Sequence, residues 1–63
     1  MEIKQIIRVC WKQARKVASL EWGWYGKNCF GWSNVAHNQM LGGLINAGIN
    51  PATARKLANL YVN

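Results

Sequence analysis

Apolar residues recur at three- and four-residue intervals through the first third of the chain. Ile3, Ile7, Cys10, Ala14 and Val17 form one stripe, flanked by Ile6 and Ala18. This is the period of a helix with one face turned inward, and it predicts a helix from about Glu2 to Leu20. Lys4, Arg8, Lys12, Arg15 and Lys16 fall on a broad opposite face. Glu2 is expected in the first turn and Arg15 and Lys16 in the last turns, each where the helix dipole favours its charge.

The periodicity breaks at Glu21. From there to Trp32 five aromatics, Trp22, Trp24, Tyr25, Phe30 and Trp32, interleave with Gly23, Gly26 and Gly31. Three glycines so close together argue against a continuous helix. The segment reads as an ordered aromatic and Gly-rich loop. The alternative is a short β-hairpin, with Gly26 and Lys27 at the centre of a tight turn and Trp22 and Trp24 alternating on one strand.

Helical spacing then returns. Ser33 or Asn34 can cap a helix running to about Ala47. Ala36, Met40, Leu44 and Ala47 line its inner face, with Leu41 and Ile45 beside them. Gly48 followed by Ile49 is the signature of a helix stop. Asn50 and Pro51 restart a helix as cap and first residue. This last helix is expected to reach about Val62, with Ala54, Leu57, Ala58 and Tyr61 inward. The predicted fold is mainly α: a single small three-helix domain over residues 1–63, in which the aromatic loop joins the first helix to a C-terminal helical hairpin.

Composition sharpens this picture. At 63 residues the core is thin, and a few of the four tryptophans can supply much of it. Eight Lys and Arg against two Glu give a net charge of +6, which favours polyanionic partners. The charged N-terminus is unlike a secretory signal, and no apolar run nears the ~20 residues of a membrane span. A cytoplasmic location with reduced thiols is therefore expected. In an oxidising setting Cys10 and Cys29 would be the one available disulfide.

The groups needed for catalysis are scarce, and no enzyme activity or cofactor is expected. Glu2 and Glu21 are the only carboxylate side chains, and His37 is the only histidine. Paired-carboxylate chemistry needs both acids in one cleft. Cys10 lies on an apolar face, where a buried inert thiol is usual. Cys10, Cys29 and His37 lack a fourth ligand for zinc. His37 reads as a partly buried, hydrogen-bonded residue. Gly42 and Gly43, with no Lys-Ser/Thr after them, suit close helix packing rather than a phosphate loop.

The candidate sites are therefore binding sites. The basic ridge of the first helix spans about 18 Å from Lys4 to Lys16 and suits several phosphates. Trp11 stands at its edge, where it could stack on a base or under a guanidinium. Arg55 and Lys56 form a second basic patch. The segment from about Met40 to Asn59 resembles a DNA-binding helix-turn-helix. Gly48 would sit in the turn, Ala47, Ile49, Ala54 and Leu57 inside, and Thr53, Arg55, Lys56 and Asn59 toward a major groove. It departs from that pattern at Leu44, where a small residue is usual, and at Pro51. Trp22, Trp24 and Tyr25 are candidate aromatic contacts.

These features favour a small basic nucleic-acid-binding protein of a regulatory kind. One alternative is an interaction module or inhibitor, such as mobile elements encode, binding an acidic protein face. Another is a membrane-active, bacteriocin-like cationic peptide on anionic lipid. The small faces around Gly42 and Gly43 offer a surface for a homodimer.

Overall fold

A computed structural model of the chain describes residues 2–23 and 30–62. Three helices account for nearly all of them: α1 (Ile3–Trp22), α2 (Phe30–Asn46) and α3 (Pro51–Val62). The mainly α expectation holds. The choice between hairpin and irregular loop, and with it Trp24, Tyr25, Lys27 and Cys29, lies outside the described residues.

α2 is the central helix and packs along both others. The molecule measures 33 × 19 × 15 Å. Its long axis is that of α1, since 20 residues rise about 30 Å. The helices meet at alanines. Ala14 and Ala18 of α1, Ala36 of α2, and Ala54 and Ala58 of α3 are all wholly buried. Side chains this small bring helix axes toward the close end of the ~8–10 Å packing range. Met40 and Leu44 are the largest side chains buried completely. Each stabilises the fold by about 1.5–3 kcal/mol relative to exposure.

The core has two parts. One joins Ala14, Met40, Leu44, Ala54 and Ala58, with Ile6, Ile7, Cys10, Leu41, Ile49 and Leu57 packed on it. The other joins Ala18, Trp32, Ala36 and Val62, with Val35 beside it. Trp11 packs against both.

The turn between α2 and α3 follows its sequence signals closely. Gly48 has a φ of 96°, a left-handed conformation in which glycine carries no Cβ penalty. Its N–H donates to the Ile45 carbonyl at 3.0 Å, and the Ile49 N–H donates to the Leu44 carbonyl at 3.0 Å. This pair of bonds closes the last turn of α2, with Ile49 folded onto the core beside Leu44. Asn50 then caps α3: its Oδ1 accepts from the Ala52 N–H at 2.9 Å.

Elsewhere the helix ends differ from expectation. α1 continues to Trp22, so Arg15 and Lys16 lie inside it and its last turn holds no basic residue. Glu2 precedes the first turn as an extended residue without a side-chain cap bond. Its carbonyl accepts from the Gln5 and Ile6 N–H groups at 3.0 and 3.1 Å. α2 begins at Phe30, so Ser33 and Asn34 are helical rather than capping. The earlier start puts Trp32, Ala36, Met40 and Leu44 on one line at four-residue spacing, and all four are buried. Ala47, expected inside, lies beyond the helix end and is exposed.

Two contacts account for this longer α2. A Cβ at Gly31 would come within 2.6 Å of the Trp22 ring, so the glycine that suggested a loop is a seat for an aromatic. The Trp32 indole N–H donates to Ser19 Oγ at 3.3 Å, which satisfies the indole as it enters the core. Gly43 provides a second close approach: a Cβ there would lie 3.2 Å from Cys10 Sγ. Gly42 faces open space.

Candidate functional site

The helix period places the five cations of α1 on one arc. Advancing about 100° per residue, Lys4, Arg15, Arg8, Lys12 and Lys16 follow one another across roughly 120° of the helix surface. All five are exposed. The stretch from Ile3 to Leu20 contains no acid, and the two glutamates stand at its ends. Neither glutamate is three or four residues from a member of the arc, so neither faces one across a helical turn. The ridge is a positive surface without interspersed negative charge.

The arc runs along one side of α1 only. Its edge borders Trp11 and, across a groove, α3. Lys4, Ile7 and Arg8 line this groove together with Tyr61. On the other flank α1 meets α2 in a groove of amide side chains, Gln13 facing Asn38, Gln39 and Asn46, with Gly42 and Gly43 beneath. The two flanks of one helix thus present different chemistry, cationic toward α3 and neutral toward α2.

Trp11 is half-buried and organises the border of the ridge. Trp32 meets it edge-on, with centroids 6.4 Å apart and planes at 84°. Tyr61 leans on it at 5.6 Å and 53°. The Arg15 guanidinium carbon lies 5.8 Å from its ring centroid, within cation–π range. Trp11 therefore does two jobs: it links the two parts of the core, and it holds one cation of the ridge in place. Sequence spacing places it correctly at the edge of the charged face but gives no sign of its ring partners.

The other expected site residues are more scattered. Arg55 and Lys56 are exposed on α3. Arg55 shares its side of the helix with Asn59, four residues on, and Asn59 is turned to α2. There Asn59 Oδ1 lies 2.7 Å from His37 Nε2. An amide oxygen only accepts, so the imidazole N–H donates. Tyr61 is turned the opposite way, to α1, so Arg55 lies on the side of α3 away from the ridge. The helix-turn-helix positions agree in part: Ala54, Leu57 and Ile49 pack inward, Ala47 does not, and Asn59 is held by His37. Trp22 packs on Gly31 and keeps 37% of its surface exposed. Trp24 and Tyr25 lie outside the described residues.

The remaining reactive groups do not converge. Cys10 faces Gly43, and burial pushes its thiol above the usual value. His37 points to α3. Among the described residues, no three of His, Cys, Asp and Glu gather in one place. None of the described helices is long and apolar enough to cross a membrane.

Of the residues at the cationic groove, Tyr61 is the one that its spacing misplaces. Its spacing with Ala54, Leu57 and Ala58 assigns it to the core, yet 38% of its surface is exposed in the cationic groove. It lies at the margin of the apolar stripe, where periodicity separates inside from outside poorly. Compared with known proteins, the chain matches no family model, no curated protein and no solved structure.

Proposed function

We propose that the chain is a small nucleic-acid-binding protein that acts by binding rather than by catalysis, with α1 as its phosphate-contacting surface. One observation carries this reading: five exposed cations on one arc of a rigid helix, over a stretch that holds no acid. An ordinary solvent-facing helix mixes both signs of charge. A single-sign ridge repels its own members, and a polyanion relieves that repulsion while releasing counterions. Lys4, Arg8, Lys12, Arg15 and Lys16 are the phosphate contacts, and Arg55 and Lys56 form a separate, weaker patch. The cytoplasm is the compartment where such a protein meets nucleic acid with its thiols reduced.

The test is a titration of labelled DNA and RNA at several salt concentrations. Affinity should fall steeply with salt, by about 0.9 in logarithmic slope for each phosphate contacted on duplex DNA. Replacing Lys4, Arg8 and Lys12 together by Gln should weaken binding to all sequences alike and flatten the slope by up to about three contacts' worth. Salt-insensitive binding, or none, would remove this reading and leave an acidic protein face as the partner of the ridge.

A further inference from the structure

The cationic groove between α1 and α3 contains an aromatic ring, and this deepens the proposed function on which the inference rests. We infer that Tyr61 is a stacking site for one unpaired base, so that the protein prefers single-stranded nucleic acid to duplex.

The argument begins with where the ring lies. Tyr61 leans on Trp11 at 5.6 Å with the planes tilted by 53°, so Trp11 braces it without covering it in a parallel stack. Its exposed surface opens into a groove of about 310 Å³ shared with Lys4, Ile7 and Arg8. That volume is at the small end of the ~300–1,000 Å³ found for ligand pockets and is enough for a flat ring system.

Charge lies on both sides of the ring along the helix axis. Lys4 and Arg8 share the groove with it. Arg15 is held over Trp11 at 5.8 Å, about 10 Å further along α1 from Arg8. A strand laid on the ridge would have phosphates at cations before and after the ring, with one base directed at Tyr61. Single-strand binders combine these two elements, a cationic track and an aromatic face that any base can stack on. In a duplex both faces of each base are occupied by its neighbours, and a base must be flipped out before it can reach such a ring.

The experiment measures fluorescence anisotropy of a labelled mixed-sequence oligonucleotide of about 12 nucleotides, alone and annealed to its complement, in DNA and RNA forms at one salt concentration. Wild-type protein should bind the single strand more tightly than the duplex. Tyr61→Leu, which keeps an apolar side chain against Trp11, should weaken single-strand binding by about 5- to 150-fold and leave duplex binding unchanged. Tyr61→Phe should retain single-strand binding, which separates stacking from a loss of fold; helical circular dichroism of each variant checks the latter directly. The DNA and RNA arms show which strand the groove accepts. Duplex binding as tight as single-strand binding overturns the inference while leaving the proposed function standing, as does a Tyr61→Leu variant that loses neither form or both equally. Absence of salt-dependent binding to every form removes the proposed function and this inference together.

Discussion

The two parts of the core are built on different principles. Around Met40 and Leu44 the packing is mainly aliphatic, with Trp11 at its edge, and is closed by the Gly48 turn. Around Trp32 it is aromatic, and a polar contact from Ser19 accompanies the indole into the interior. At that end Leu20 and Phe30 are 79% and 85% exposed. The aliphatic part joins residues as far apart as Ala14 and Ala58, but the turn that closes it is specified by local sequence. The aromatic part depends on contacts between residues 9 to 21 positions apart, such as Trp22 with Gly31, Ser19 with Trp32 and Trp11 with Trp32. A thin-cored chain can thus use local signals to settle the turn at one end and a few large side chains to assemble the other.

Denaturant unfolding of substituted proteins would test this difference. The largest effect is expected at Trp32. Trp32→Ala should destabilise by about 3–5 kcal/mol, at least as much as Leu44→Ala at about 2–5 kcal/mol. A loss at Trp32 no greater than that of a surface substitution would mean the aromatic part is an accessory to the aliphatic one. A smaller effect is expected at the turn. Gly48→Ala places a side chain in a left-handed conformation and should cost about 1–2 kcal/mol. A neutral result would show that the turn rearranges freely and that the aliphatic end is not locally closed. The smallest effect has the opposite sign. Gly42→Ala should stabilise α2 by about 0.5–1 kcal/mol, because its Cβ meets nothing and the helix gains a better former. Gly43→Ala should gain less, since its methyl would meet the Cys10 sulfur at 3.2 Å.

The same difference explains which features were legible in the sequence. The Gly48-Ile49 stop and the Asn50-Pro51 start are encoded within a few neighbouring residues and are found where they were expected, and the α1 stripe faces inward from Ile7 on, whereas Ile3, at the helix start, is 56% exposed. The start of α2 was not legible. Gly31 and the aromatics around it carry the local marks of a loop, and only a ring arriving from α1 makes a helix the better solution there. The cationic ridge could be read directly, because charge and period both lie in one helix. Its aromatic border could not. Trp11 and Tyr61 are 50 residues apart, and they meet only once α3 has folded back toward α1.

The Gly48 turn bears on the rate of folding as well as on the final structure. Its two closing bonds reach back no more than five residues, and only residues 47–50 separate α2 from α3. The entropy lost on closing a loop grows with its length, so this pair of helices comes together over one of the shortest closures the chain offers. Contacts so near in sequence belong to the fast regime of helical domains, microseconds to milliseconds. The helical hairpin can therefore serve as a template onto which α1 docks, and the α1–α3 groove with its Tyr61 ring is complete only once that docking has occurred.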